Sequence, residues 1–75
     1  MKYKVGDYVK IILHPKVTYY RNQVGLIAEI IDVYPIKKYP YIVRFLNGRI
    51  KGRTELFDDK CLRIANRDEV MVELL

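Results

Sequence analysis

Serine and tryptophan are absent from the 75 residues, and histidine and cysteine occur once each, as His14 and Cys61. The missing serine removes every serine-nucleophile mechanism. A single histidine and a single cysteine cannot assemble a zinc centre of the usual ligand type, nor can one cysteine close an internal disulfide. No metal, cofactor or catalytic residue is therefore expected. Apolar runs are short, and Met1-Lys2-Tyr3-Lys4 leads into a charged segment rather than a signal-like apolar core, so the expectation is a cytoplasmic protein with no membrane partner. Glycine (4) and proline (3) are too sparse for a low-complexity linker, and 51% hydrophobic residues are too many for a disordered tail.

What remains is a small, basic chain that must fold around one core. Its net charge is +5, unevenly placed. Residues 1–65 carry 13 Lys or Arg against 6 Asp or Glu, a balance of +7; residues 66–75 carry 1 against 3, a balance of −2. A basic body attracts acidic proteins or nucleic acid by steering that fades with salt. It also simply keeps a protein soluble.

Val5, Val9, Ile11 and Leu13 recur with the alternation of a half-buried first strand, entered through a turn at Gly6-Asp7 and ended by His14-Pro15. Residues 14–23 read as a loop. A second strand is expected over 24–33; its alternation is broken, which predicts a bulge. Tyr34-Pro35 to Tyr39-Pro40 forms a second loop. A third strand, 41–46, meets a fourth, 49–54, across Asn47-Gly48, a dipeptide suited to a two-residue hairpin turn. That turn would oppose Arg44 to Lys51, Phe45 to Ile50 and Val43 to Gly52. Tyr41, Val43 and Phe45 would face inward, and Arg44, Arg49, Lys51 and Arg53 outward. Residues 56–60 read as a helical turn, and 61–65 as a fifth strand with Leu62 and Ile64 inward. The tail, 66–75, fits either a short helix opened by Asn66 or Asp68, or an extra strand. The domain proper is then 1–65. Its pattern is that of an all-β, five-stranded antiparallel barrel of SH3-like type, with a helical turn before the last strand and a C-terminal tail.

The segments Val9-Lys10-Ile11-Ile12-Leu13, Tyr20-Arg21-Asn22-Gln23-Val24-Gly25 and Lys38-Tyr39-Pro40-Tyr41-Ile42-Val43-Arg44-Phe45 resemble, in the same order, those of the electron-transport accessory branch of the SH3-like superfamily. That branch is typified by photosystem I reaction-centre subunit IV and the variable chain of ferredoxin-thioredoxin reductase. The resemblance implies a cofactor-free element that docks acidic redox proteins, with the family's basic residue before Tyr-Pro falling on Lys38. Asn47-Gly48 stands where that family has a long Asn-rich loop. Asn22-Gln23-Val24-Gly25-Leu26-Ile27 resembles the core of KOW-type domains, with Asn in place of the first Gly, which implies nucleic-acid binding.

Three groups of residues are candidates for a partner-binding surface. Arg44, Arg49, Lys51 and Arg53 would gather on one hairpin face, where opposed like charges favour an anionic partner; a solvated face of splayed side chains is the competing reading. Tyr19, Tyr20 and Arg21 in the first loop, and Lys37, Lys38 and Tyr39 in the second, interleave aromatic and basic groups. That composition suits contacts with a protein or with stacked bases, and equally suits tyrosines that cover the ends of a small barrel. His14 with Cys61 lacks a third orienting group for nucleophilic catalysis, and Asp58-Asp59 fit capping better than metal binding. The functional expectation is a non-catalytic docking module with an acidic protein partner. A nucleic-acid-binding module using the same cations is the alternative, and self-association through Val70, Val72, Leu74 and Leu75 is a third reading. An accessory subunit of a complex and a phage or mobile-element protein fit equally well.

Overall fold

The computed structural model describes residues 1–14 and 23–74. Tyr19, Tyr20 and Arg21, and Leu75 at the end of the tail, lie outside the described residues. Five antiparallel strands form one sheet in the order β4-β3-β2-β1-β5. They are β1 (Tyr8–Ile11), β2 (Ile27–Val33), β3 (Tyr41–Phe45), β4 (Thr54–Phe57) and β5 (Leu62–Ile64), followed by one short helix, α1 (Arg67–Glu73). A 3-10 turn, Asp59–Cys61, precedes β5.

One sheet face carries the core. Val9 and Ile11 of β1, Ala28 and Ile30 of β2, Tyr41, Val43 and Phe45 of β3, Phe57 of β4 and Leu62 of β5 are all buried. The inward set on β3 is the one its alternation predicts. β2 carries the expected bulge, between Ile30 and Asp32, and the sequence explains it. Strict alternation after Ala28 and Ile30 would turn Asp32 into the core; the extra residue reverses the parity, so that Asp32 lies beside Ile42 outside and Val33 beside Tyr41 inside.

Tyr3, isolated between two lysines, is buried as well. Its ring meets that of Tyr41 edge-on at 5.4 Å, and its hydroxyl donates to the Leu62 carbonyl at 3.0 Å. The Tyr41 hydroxyl accepts from the amides of Lys2 (3.1 Å) and Tyr3 (3.2 Å). The N-terminal segment thus ties β3 to β5 by satisfied hydrogen bonds; of the alternating Met1, Tyr3 and Val5 only Tyr3 is buried, so the alternation does not mark it out.

The largest correction concerns the hairpin. β3 and β4 pair as Arg44 with Thr54, Val43 with Glu55, Ile42 with Leu56 and Tyr41 with Phe57, three residues out of the predicted register. Residues 46–53 are a wide loop, not a two-residue turn followed by a strand over 49–54. Asn47 is not free to form the tight turn, because its side chain accepts from the Ile27 amide (3.0 Å) and donates to the Glu73 carbonyl (3.4 Å). Gly48 and Gly52 both have positive φ, at 79° and 86°, and supply the two bends of the longer loop. This register buries Phe57, which packs edge-on against Phe45 at 6.2 Å; the predicted one would have assigned Phe57 to a helical turn.

Smaller corrections follow. β1 is shorter than expected and leaves Val5 and Leu13 exposed; β2 starts at Ile27 rather than Val24; Leu56 and Phe57 belong to a strand. Ile64 pairs with Val9 but stays 51% exposed, since β5 is an edge strand. The tail is a helix: Asn66 accepts from the Glu69 amide at 2.8 Å while the Glu69 carboxylate accepts from the Asn66 amide at 3.3 Å, a reciprocal cap. No helix among the described residues is long and apolar enough to cross a membrane.

Candidate functional site

The outward sheet face has two halves. Over β5, β1 and the start of β2, Lys10 lies directly opposite Arg63, a like-charged pair that would repel. Glu69 of α1 resolves it. Its carboxylate accepts from both terminal guanidinium nitrogens of Arg63 (2.7 and 2.5 Å) and lies 3.8 Å from the Lys10 ammonium. The hydrogen bond from Arg63, then that from the Asn66 amide, lowers the Glu69 pKa to about 2, with Lys10 adding attraction.

The other half, over β3 and β4, is open. Ile42 and its cross-strand partner Leu56 form the floor of a recess of about 520 Å³, walled by Tyr34, Lys37, Lys38 and Tyr39. Leu56 and Tyr34 are each 44% exposed, and Ile36, at the tip of the same loop, is 97% exposed. The loop is shaped by its own turns: the Tyr34 amide donates to the Pro40 carbonyl at 2.7 Å and the Lys37 amide to the Tyr34 carbonyl at 3.0 Å. Tyr34 donates its hydroxyl to Asp32 at 2.8 Å, which raises its pKa and keeps the ring polar edge neutral. Lys38 lies over the Tyr39 ring, 5.8 Å from its centre. Neither Lys37 nor Lys38 has a carboxylate partner among the described residues.

The structure brings together only part of the predicted surface. Arg44 is not opposed to Lys51; it stands between Glu29 and Thr54, and its guanidinium contacts the Glu29 carboxylate at 3.3 Å. The repulsion inferred for that hairpin face is absent. Arg49, Lys51 and Arg53 are exposed in the loop after β3, whereas Lys37, Lys38 and Tyr39 sit in the loop before it. The length of β3, roughly 13 Å at about 3.3 Å per residue, separates them. Tyr34, Ile42 and Leu56 escaped the sequence reading, because they meet only in the true β3–β4 register.

Lys38 and Tyr39 also border a second recess, of about 310 Å³, with Leu13, His14, Asp58, Lys60 and Cys61. His14 and Cys61 therefore do share a cleft. Burial, then the hydrogen bond and charge of Asp58, push the Cys61 thiol up to about 11, so at neutral pH it is protonated, the reverse of an activated nucleophile. Asp58 starts the 3-10 turn without a side-chain capping bond. Among the described residues no cluster of His, Cys, Asp and Glu could hold a metal ion. Comparison with protein-family models, curated proteins and solved structures returns no match.

Proposed function

We propose that this chain is a non-catalytic docking module that binds an acidic surface of a larger protein or complex through the recess between the 34–40 loop and the β3–β4 pair. The observation that carries this reading is the Ile42–Leu56 floor, apolar, open and rimmed by two lysines with no carboxylate partner among the described residues, with Ile36 of the same loop fully out in solvent. Exposed apolar area of this kind beside aromatic and cationic side chains marks protein contact sites. The reading includes an SH3-like closure of the sheet that leaves the outer edge of β4 unpaired, and a cytoplasmic setting. Strand number, the short turn before β5 and the Tyr3 bridge between β3 and β5 support that closure. The resemblance to photosystem I subunit IV supports the use of Lys38.

A nucleic-acid-binding module is the second reading, favoured by one observation: Arg49, Lys51 and Arg53 are exposed and have no ion-pair partner among the described residues. Tyr39, however, lies at the opposite end of β3, so that phosphate contacts and base stacking would not fall together.

Photo-crosslinking from position 39 in extracts of the native cell, with Ile42→Asp as control, tests the first reading. A specific protein adduct lost in the variant is expected, and its absence counts against docking at the recess. Binding to generic DNA and RNA at 50 and 200 mM salt, beside an Arg49, Lys51 and Arg53 triple-Ala variant, tests the second. Steep salt dependence lost in the variant would promote nucleic acid over protein.

A further inference from the structure

We infer that the partner enters as an extended segment that adds a strand to the outer edge of β4, with acidic residues at both its ends and apolar residues between them. The inference rests on the docking reading above and adds the form and chemistry of the occupant.

β4 is the last strand on its side of the sheet, and among the described residues no strand lies beyond it. In an antiparallel ladder alternate residues of an edge strand turn their backbone groups outward. Leu56 is such a residue: its amide donates not to β3 but to the carboxylate of the preceding Glu55, at 3.1 Å. This local bond covers a donor that a carbonyl of an incoming strand would otherwise take. The Leu56 side chain is at the same time one half of the recess floor. A strand added about 4.8 Å from β4 would lay its own outward side chains beside Leu56 and Ile42. Backbone pairing and the apolar anchor therefore converge on one residue.

Charge fixes the rest. Lys37 and Lys38 lie at the Phe57 end of β4, next to Tyr41 in the register, and Arg49, Lys51 and Arg53 lead into its Thr54 end. The cations of the 34–40 loop and of the 46–53 loop thus bracket this edge, at separations an extended segment of about five residues would span. The recess lining contains no carboxylate; of the acids near this edge, Glu55 is engaged by the Leu56 amide and Asp58 lines the neighbouring recess. A segment with acids at its ends meets cations at both, and a basic segment is repelled at both.

The test uses the full chain and three labelled nine-residue peptides: Glu-Glu-Thr-Val-Tyr-Val-Thr-Glu-Glu, the same with Lys for every Glu, and the acidic peptide with Pro for both Val. Anisotropy measures binding, and amide exchange by NMR follows Leu56. The acidic peptide is expected to bind at least tenfold more tightly than the other two and to protect the Leu56 amide. Leu56→Pro removes that donor at an edge position where proline is tolerated, and should weaken binding at least tenfold; Ile42→Asp should do the same. Should Leu56→Pro disturb the fold, protection of the wild-type Leu56 amide carries the decision. Binding lost with Ile42→Asp but indifferent to Leu56→Pro, without protection of Leu56, overturns strand addition and leaves docking at the recess standing. Indifference to both substitutions, or equal binding of the Lys peptide, overturns both.

Discussion

The two halves of the outward sheet face treat the same problem in opposite ways. Over β1 and β5, Lys10 and Arg63 are forced together by the ladder, and the chain brings Glu69 to them on its own helix. Over β3 and β4, Lys37 and Lys38 rim an apolar recess, and among the described residues no carboxylate pairs with either of them; Glu29 is taken by Arg44 and Asp32 by the Tyr34 hydroxyl. Where cations serve the fold, their counter-charge is internal; where none is supplied, the counter-charge has to come from solvent or from another molecule. The difference between the halves, rather than the total of +5, is what locates the proposed contact.

Phe45→Ala should erase the comparison altogether. Phe45 is buried in β3 against Phe57, and its truncation should cost about 3–5 kcal/mol, enough to unfold a domain of this size in a urea titration. Gly48→Ala should act through the 46–53 loop and its ties to Ile27 and α1. Its φ of 79° is strained for alanine, and an added Cβ would lie 2.7 Å from Leu26 Cδ2, beside the Asn47 side chain that ties Ile27 to Glu73. A loss of about 1–2 kcal/mol is expected. Gly52→Ala, with a similar φ and open space around it, should cost less, and thermal unfolding of the two variants side by side measures the difference.

Glu69→Gln should remove the internal counter-charge and leave the recess untouched. The expected signs are faster amide exchange in α1 and a fall in Tm smaller than that of Gly48→Ala. Acid should reproduce it. The Glu69 carboxyl titrates lower in the folded chain than in the unfolded one, so its contribution is complete above the ordinary carboxylate pKa of about 4.3. That contribution fades as pH falls toward about 2. The Gln variant should lack this component of the acid profile. Leu56→Thr should have the smallest effect on folding, within about 0.5 kcal/mol by denaturant titration, because the side chain is half-exposed on an edge strand. A larger loss would mean that the recess is part of the folding core.

The elements that the sequence showed clearly are those decided locally. The inward set Tyr41, Val43, Phe45 follows from alternation and the β2 bulge from its break, whereas the tail stayed open between helix and strand until the Asn66–Glu69 cap was seen in place. What it hid was decided at a distance. Asn47-Gly48 has every local property of a tight turn, yet bonds to Ile27 and Glu73, 20 and 26 residues away, hold Asn47 in another role. That one displacement moved four strand pairings, separated Arg44 from Lys51 and created the Ile42–Leu56 floor. Lys37, Lys38 and Tyr39 were visible as a basic-aromatic cluster, whereas their apolar neighbours were visible only with the register.

The Glu69 contact also bears on how the protein is handled as a reagent. Residues 66–75 carry a balance of −2, and cutting them off does more than shorten the chain: it unmasks two adjacent positive side chains and raises the net charge from +5 to +7. A truncated version assayed against polyanions would thus acquire stickiness that the intact chain conceals. Apparent gains in DNA, heparin or resin retention after such a cut would report the missing lid, not a native ligand, and the isosteric change Glu69→Gln, which unmasks the same pair in the full-length chain while raising the charge only to +6, is the control that separates the two.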